Sequence, residues 1–329
     1  MKQTTIVCSV LALAIGLAGG LMASPIMGKI KSARVAWDDS TSKKWPAEFS
    51  KAATDAGQPV YMHSAKGDLP RPLVISLHTW SGGFDQQDQL ASYAVKNNWN
   101  YVHPHVQGAN DNPSACLSDA VIKDVNDAYA WAARTMNVDP KNVIIVGASG
   151  GAYTALGSML KSDVPAKAYF AWVPITDLAA WRLQSKTRNQ KYMADVAKCA
   201  AVDGTYSVAE ARARSPQHMP LEEGRRYPNL YLYTGINDGF NGSVPVSHAI
   251  LFYNKMALHY GADVDSIIDA EQMAAMTTRA SLADPEDMIG DRDVYMRKSL
   301  PGLSMTVFEG SHEMLVDYTA AAIEKEISS

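Results

Sequence analysis

One serine of this chain lies in a sequence pattern that is typical of a nucleophile. Ser149 is at the centre of the pentad Gly147-Ala148-Ser149-Gly150-Gly151, which directly follows the apolar run 142–146. A G-x-S-x-G pentad at the end of a strand places its serine on a sharp strand-to-helix turn, where the hydroxyl stands clear of the sheet. We therefore predict that Ser149 is a nucleophile, and the alternative is a glycine-rich turn that only packs a helix on a sheet.

The residues on both sides of the pentad predict the elements that such a turn requires. Segment 118–136 has apolar residues at three- and four-residue spacing, which indicates one amphipathic helix. The turn 139–141 contains a proline and leads into strand 142–146, because proline disfavours helix in the residue before it. Small and apolar residues over 152–160 indicate a second helix. Together these elements predict a right-handed α/β unit around Ser149.

This pattern resembles the α/β-hydrolase superfamily, and within it the prolyl-oligopeptidase-like esterases and peptidases. Trp131, segment 138–143 and the pentad 147–151 carry the resemblance, which extends over roughly residues 70 to 320. It implies an α/β-hydrolase fold, with a mostly parallel central sheet and helices on both faces. It also implies a serine hydrolase whose chemistry requires neither a cofactor nor a metal.

The resemblance also implies an acid partner. In this superfamily an acidic residue and then a histidine follow the serine along the chain. Asp238 lies in the loop after the strand-like segment 228–234, which makes it the predicted acid that orients the histidine. Because Asp238 precedes a glycine, a turn residue that bonds its own backbone is the alternative interpretation. Asp177, after the strand-like segment 168–173, is the rival acid.

His312 is the predicted general base. Of the eight histidines, it is the one that lies beyond Asp238 in a loop after a strand-like segment, 303–308. Its imidazole can accept a proton near pH 7 while a carboxylate holds the other ring nitrogen. His248 and His259 fall in a helix-like stretch, and we expect them to be surface or packing residues.

Two backbone N–H groups are expected to bind the charged oxygen of the tetrahedral intermediate. The resemblance gives one to Gly150 and the other to the loop 78–83. Family members often have His-Gly at this point, whereas this chain has His78-Thr79. Thr79 and Trp80 therefore both stay candidates for the second donor. We expect His78 to be structural, hydrogen-bonded beneath the loop.

Four residues are predicted to face the substrate: Trp80, His103, His105 and Asn110. The loop 103–112 follows the strand-like segment 99–102 and should open at the same carboxyl edge of the sheet as Ser149. Trp80 could offer a flat apolar face to a sugar or an aryl ring, and so could Trp172 or Trp181. The alternative for each tryptophan is a place in the core.

Residues 1–23 have the pattern of a secretory signal peptide. Lys2 is followed by the apolar stretch 6–22, and Ala23 stands at the expected cleavage site. The pattern predicts a secreted or periplasmic protein with no stable membrane association after cleavage. Leu21 is larger than a cleavage site prefers, so retention as an amino-terminal anchor is the alternative.

The mature chain would keep only Cys116 and Cys199, because Cys8 lies in the leader. An oxidising compartment favours a single disulfide between two cysteines. Two free buried thiols are the alternative.

The remaining chain is organised as a short extension and one large domain. We expect residues 24–69 to pack on the core as an amino-terminal extension and residues 70–329 to form the catalytic domain. Within that domain, the acid-rich segment 261–298 is either a cap over the active site or a solvated surface segment.

Composition narrows the class of substrate. A net charge of −4 with scattered basic residues argues against nucleic-acid binding, and no Cys/His cluster has the spacing of metal ligands. We expect a hydrolase of carboxylic esters whose substrate is a small molecule or a polysaccharide. The alternatives are a prolyl-oligopeptidase-like peptidase and, if the triad were incomplete, an inactive binding protein. Glu222-Glu223, the only adjacent glutamate pair, gives no evident anchor for a peptide amino terminus.

Overall fold

A mixed sheet of ten strands lies at the centre of the computed structural model, which describes residues 44–329. The predicted signal peptide, residues 1–23, lies outside the described residues. The strands are β1 (Ser50–Ala53), β2 (Pro59–His63), β3 (Arg71–Leu77), β4 (Asn100–Pro104), β5 (Val138–Ala148), β6 (Ala168–Trp172), β7 (Ala201–Val202), β8 (Thr205–Tyr206), β9 (Asn229–Gly235), β10 (Met288–Ile289), β11 (Arg292–Leu300) and β12 (Leu303–Phe308).

Helices connect these strands along the chain. They are α1 (Ala91–Asn97), α2 (Asp119–Thr135), α3 (Gly150–Lys161), α4 (Leu178–Thr187), α5 (Tyr192–Cys199), α6 (Val208–Ala213), α7 (Ser247–His259), α8 (Ala270–Thr277) and α9 (Val316–Ser328), with a 3-10 turn at Val264–Ser266. Between residues 44 and 329, no helix is long and apolar enough to cross a membrane.

The strand order in the sheet is β1-β2-β4-β3-β5-β6-β9-β12-β11-β10, and β7 pairs with β8 separately. All neighbours from β4 to β12 pair in parallel, and antiparallel strands flank them on both sides. The central strands have nearly continuous apolar runs because both of their faces are covered. One core layer includes residues of α2, α3 and α7, and the other includes residues of α1 and α9. The predicted α/β-hydrolase fold, mostly parallel with helices on both faces, is confirmed.

Strand β5 differs from the prediction at its start. The predicted turn at 139–141 lies inside β5, which begins at Val138. The pairing with β3 shifts register between Arg71 and Leu73, opposite this segment. Here a carboxylate oxygen of Asp139 accepts the Lys141 N–H at 3.0 Å. The local turn signal of Asp-Pro is therefore accommodated as an irregularity at the amino-terminal end of β5, before the fully buried part of the strand.

The described part of the predicted extension pairs with the edge of the sheet. Strand β2 joins β4 in antiparallel register, and β1 joins β2. Trp45 stacks on Tyr61 with ring centroids 4.5 Å apart, and Phe49 meets Tyr101 edge-on at 5.2 Å. Residues 44–69 thus bury aromatic rings against the core.

Segment 261–298 contributes much of its secondary structure to the opposite edge of the sheet. It contains α8 and β10, and β11 begins within it. The Arg297 guanidinium makes two hydrogen bonds of 2.9 Å to Asp287. Arg279 contacts Asn237 and Glu309. Strand β11, which begins in this segment, pairs with β12. The cap and the solvated surface segment both stay predictions.

A buried histidine joins α7 to the loop after β6. His248 Nδ1 accepts the Thr176 N–H at 3.1 Å, and Nε2 contacts Gln184 Oε1 at 2.9 Å. Nδ1 must be unprotonated to accept, so Nε2–H is the donor. Burial lowers the pKa of His248 to about 4. This residue packs in the core, which is one of the two roles expected for it.

His248 should make folding stability depend on pH. Its pKa is lower in the folded chain than in the unfolded one, so the unfolded chain binds the proton first as pH falls below 6.5. We expect His248 to cost about 2 kcal/mol of unfolding free energy between pH 7 and pH 5. The free energy of unfolding is measured by urea denaturation at pH 7 and at pH 5. Its decrease between the two pH values should be about 2 kcal/mol smaller in His248→Gln than in the wild type. An identical pH-dependent loss in the variant and the wild type would contradict the assignment.

Candidate active site

Ser149 occupies the turn between β5 and α3 in a strained backbone conformation. Its φ of 56° and ψ of −115° lie outside the regions that a residue with a Cβ prefers. The Ser149 N–H donates to the Trp172 carbonyl at 2.9 Å, and its own carbonyl accepts from Tyr153 N–H at 2.9 Å. The first hydrogen bond ties the turn to the end of β6, and the second ties it to α3. Ser149 is 7% exposed, so most of the residue is buried.

The glycines of the pentad are required by close backbone contacts. A Cβ on Gly147 would overlap the backbone of Gly151, and one on Gly151 would overlap the Leu77 carbonyl. Strand β5, helix α3 and the end of β3 therefore approach more closely than any side chain allows. Residues 147–151 therefore form the predicted strand-to-helix turn.

The carboxyl ends of the parallel strands bring the predicted acid and base to the same edge as Ser149. Ala148, the last residue of β5, is in register with Trp172, which is in register with Tyr233 of β9. Strand β12 continues this row beside β9. Asp238 follows β9 and His312 follows β12, so both lie beyond the carboxyl edge that Ser149 occupies.

Asp238 and His312 are hydrogen-bonded to each other. Asp238 Oδ2 lies 2.8 Å from His312 Nδ1, and Oδ1 accepts the N–H groups of Gly239 and Val244 at 3.0 Å. Asp238 is buried and a carboxylate can only accept, so Nδ1–H is the donor and Nε2 is left to accept a proton. The Ser149 hydroxyl has no hydrogen-bond partner within residues 44–329. Catalytic hydrogen bonds to a nucleophile often tighten only when substrate binds.

The loop after Asp238 is held by a residue that the sequence analysis missed. The Arg188 guanidinium donates to the carbonyls of Gly239 at 2.8 Å, Gly242 at 3.3 Å and Ser243 at 2.9 Å. Trp181 Nε1 donates to the same Ser243 carbonyl at 2.8 Å. Burial lowers the pKa of Arg188, and the nearby Asp238 charge opposes this shift. Arg188 is about fifty residues from the acid in sequence, and no motif marks it.

Asp177, the rival acid, has other contacts. It precedes α4 as its N-cap and accepts the Ala180 N–H at 3.0 Å. Its second carboxylate oxygen lies 2.8 Å from His218 Nε2. A capping carboxylate of this kind stabilises a helix start. Asp177 is therefore paired with His218, whereas His312 is paired with Asp238.

The two candidate oxyanion donors of the loop 78–83 differ in their contacts. The Thr79 N–H donates to Gln86 Oε1 at 2.8 Å. The Trp80 N–H has no hydrogen-bond partner among residues 44–329, and a Cβ on Gly150 would overlap the Trp80 nitrogen. The Trp80 backbone therefore lies against Gly150, the residue after Ser149, and its N–H is not used by another contact. This arrangement favours Trp80 over Thr79 as the second donor.

His78 lies beneath this loop, as we expected. Its Nε2 is 2.7 Å from the His105 carbonyl and its Nδ1 is 2.9 Å from the Thr79 carbonyl. Burial lowers the pKa of His78, so the neutral ring donates to one of these carbonyls. His78 joins the oxyanion loop to the loop that follows β4.

Three of the four residues predicted to face the substrate are buried. Trp80 is 3% exposed, and its ring lies between Trp181 and Tyr153. His103 is buried within β4, and burial lowers its pKa to about 4. Asn110 Oδ1 accepts the N–H of Cys116 at 2.9 Å. His103 also lines a cavity of about 840 Å³ together with Gly147 and Ala148. The role of these three side chains toward a substrate stays a prediction.

The position of a residue in the sequence predicts the edge of the sheet at which it lies, but not the direction of its side chain. His103 lies in a strand whose residues are buried on both faces. Trp172 and Trp181, the other tryptophans considered, are also fully buried. His105 differs, because it lines a surface cavity of about 570 Å³ together with residues of the oxyanion loop. His105 stays a prediction.

Cys116 and Cys199 form a disulfide, with their Cα atoms 5.9 Å apart. It joins the end of α5 to the loop before α2. No group of three or more His, Cys, Asp or Glu side chains in residues 44–329 is arranged to hold a metal ion.

The fold is of the α/β-hydrolase type, and the carboxyl edge of its sheet carries Ser149 and the hydrogen-bonded pair of Asp238 and His312. Residues 89–273, more than half of the chain, match the profile of the prolyl oligopeptidase family. The chain belongs to this family. The matched residues include Ser149 and Asp238, whereas His312 lies beyond them.

Similar solved structures include both peptidases and an esterase. A puromycin-hydrolyzing peptidase of Mycobacterium tuberculosis is 16% identical, with a TM-score of 0.54 over 85% of this chain and 38% of that one. The acylaminoacyl peptidase of Pyrococcus horikoshii is 10% identical, with a TM-score of 0.56 over 86% and 41%. An esterase/lipase from an uncultured bacterium is 13% identical, with a TM-score of 0.55 over 87% of both chains.

These identities show the fold alone. The chain spans about two fifths of the length of the two peptidases. No curated protein sequence matches the chain.

Replacing the predicted nucleophile should abolish turnover without unfolding the protein. We expect Ser149→Ala to lower kcat by several powers of ten, because no other group can form the acyl-enzyme. A fluorophosphonate probe should label the wild type at Ser149, as located by peptide mass spectrometry, and should not label the variant. Labelling at a different serine would contradict the assignment.

The two candidate acids can be compared by one matched pair of variants. Asp238→Asn should lower kcat by up to about ten-thousandfold, because an amide favours the wrong imidazole tautomer. Asp177→Asn keeps a helix-capping oxygen and should change kcat little. Steady-state kinetics of both variants decide, and the opposite ranking would move the acid to Asp177.

Proposed function

We propose that this chain is a secreted serine hydrolase that cleaves carboxylic esters through an acyl-enzyme. The substrate class is an esterified carbohydrate, an aryl ester or a polyester. The observation that carries the proposal is the contact of the Trp80 backbone with Gly150, next to Ser149, together with the Asp238–His312 hydrogen bond. These groups are sufficient for ester hydrolysis.

The proposed reaction uses each of these groups in turn. Ser149 Oγ attacks the ester carbonyl carbon while His312 Nε2 takes the hydroxyl proton. Asp238 stabilises the resulting imidazolium, and the N–H groups of Gly150 and Trp80 bind the carbonyl oxygen as it becomes negative. Collapse of this intermediate expels the alcohol, which receives the proton from His312. A water molecule then attacks the acyl-enzyme by the same steps and releases the acid.

Ester chemistry makes smaller demands on a site than amide chemistry. An alkoxide leaves readily, whereas an amide nitrogen must be protonated as it leaves and the peptide must be bound on both sides. The esterase/lipase and this chain each cover 87% of the other, which supports the ester assignment by likeness of size and fold.

A peptidase is the second candidate, and the family match and the two peptidase structures favour it. Peptidases that remove terminal residues need an anchor for the peptide amino terminus. Glu222 and Glu223 precede the first residue of β9, so they lie near the amino edge of the sheet and Ser149 lies at the carboxyl edge. Glu222 is ion-paired with Arg225. This placement argues against such a role for the glutamate pair.

Secretion is part of the same proposal. It is supported by the signal-peptide pattern of residues 1–23 and by the disulfide, since disulfides persist in oxidising compartments. We propose a secreted or periplasmic enzyme without stable membrane association, whose partner is a small-molecule or polysaccharide ester and not a nucleic acid.

The ester proposal predicts a clear order of substrates. The purified protein should hydrolyse 4-nitrophenyl acetate or butyrate and should release nitroaniline from proline or alanine nitroanilides much more slowly, because the anilide nitrogen must be protonated. Ser149→Ala protein serves as the control for background hydrolysis. A higher kcat/KM for the anilides than for the esters would contradict the ester proposal and favour a peptidase.

A further inference from the structure

Two separate segments hold the residue whose N–H is the proposed oxyanion donor. The Asp195 carboxylate on α5 accepts the Trp80 indole N–H at 3.3 Å. The Asn110 N–H, in the loop between β4 and α2, donates to the Trp80 carbonyl at 2.8 Å. The ring and the peptide of Trp80 are thus fixed from different sides.

The first segment, the loop 105–118, has an unfavourable backbone conformation. Val106, Gln107, Cys116 and Leu117 have φ values of 36°, 69°, 53° and 54°, in the left-handed region that favours glycine. Such residues persist only where surrounding contacts hold them. One contact is the hydrogen bond from the Cys116 N–H to Asn110 Oδ1, at 2.9 Å. The disulfide at Cys116 is another.

The second segment is α5, which also reaches the oxyanion loop. Lys191 Nζ donates to Ser81 Oγ at 2.7 Å and lies 3.5 Å from Asp195 Oδ2. Asp195 is buried, and Cys199 lies four residues further along the helix, on the same face. The residue that contacts the Trp80 ring and the cysteine that reaches the loop 105–118 are therefore neighbours.

We propose that the Cys116–Cys199 disulfide and Asp195 act together as positioning residues for the Trp80 N–H. The disulfide links the segment that fixes the Trp80 ring to the segment that fixes its carbonyl. An oxyanion donor must lie about 2.7 to 3.1 Å from the charged oxygen, so a small displacement of the Trp80 peptide weakens that contact. The contact forms only in the transition state, so its loss lowers kcat and leaves KM nearly unchanged.

This inference rests on the proposed role of Ser149, but not on the preference for esters. The test therefore uses the rate of Ser149 labelling by a fluorophosphonate, which needs the nucleophile and the oxyanion site in any serine hydrolase. Alongside it, kcat and KM are measured for whichever chromogenic substrate the protein cleaves, together with the inhibition constant of a boronic acid, which forms a tetrahedral adduct.

The variants separate positioning from folding. One removes the disulfide (Cys116→Ala with Cys199→Ala), one removes the indole acceptor (Asp195→Ala), and one keeps an acceptor oxygen (Asp195→Asn). Tyr231→Phe is the control for a general loss of stability, because it removes a 2.6 Å hydrogen bond to Glu326 of α9, whose residues belong to the other core layer. Intact-mass measurement with and without reductant establishes the disulfide in the wild type.

We expect the cysteine variant and Asp195→Ala to lower kcat and the labelling rate by at least about tenfold. The inhibition constant of the boronic acid should rise by the same factor. KM should stay within about twofold, and Asp195→Asn should restore most of the rate. Combining the cysteine changes with Asp195→Ala should add little, because both act on one group. Rates equal to those of Tyr231→Phe, or two free thiols in the wild type, would overturn the proposal. Labelling at Ser149 without ester cleavage would overturn the ester function alone.

Discussion

The strained backbone of Ser149 is the constraint on which the rest of the site depends. A residue with a Cβ adopts φ 56° and ψ −115° only where its surroundings hold it there. Strand β5, helix α3 and the end of β3 supply that support through contacts that exclude side chains at Gly147 and Gly151. The same close approach brings Gly150 against the Trp80 backbone. One tight turn thus fixes Ser149 and brings the proposed oxyanion loop next to it.

The acid and the base depend on a different kind of restraint. Asp238 is buried, and both of its carboxylate oxygens accept hydrogen bonds, one set from backbone N–H groups and one from His312. Burial of an unpaired carboxylate would be costly, so these bonds are needed for the charge to exist there. Arg188 fixes the carbonyls of the same loop from α4. Arg188, at the end of α4, therefore supports the loop that follows Asp238, and Asp195 of α5 supports Trp80.

The sequence was sufficient for the parts of the site that local patterns specify. The pentad and its flanking periodicities predicted the Ser149 turn, and strand-then-loop positions predicted Asp238 and His312. Side-chain direction was not predictable in the same way. Trp80, His103 and Asn110 are buried at the expected edge. The indole of Trp80 is held by Asp195, which is far away in sequence. Sequence alone could not decide between Thr79 and Trp80 either, because the distinction depends on the hydrogen bond that the Thr79 N–H donates to the Gln86 side chain.

The central claim is that the N–H groups of Trp80 and Gly150 bind the oxyanion formed at Ser149. A crystal structure of the protein after reaction with a phosphonate ester tests it most directly, because the adduct carries a charged oxygen where the tetrahedral intermediate would. The account predicts a bond from phosphorus to Ser149 Oγ, with the phosphoryl oxygen about 2.7 to 3.1 Å from both nitrogens. A phosphoryl oxygen bound by the Thr79 N–H, with Trp80 turned away from it, would contradict the account.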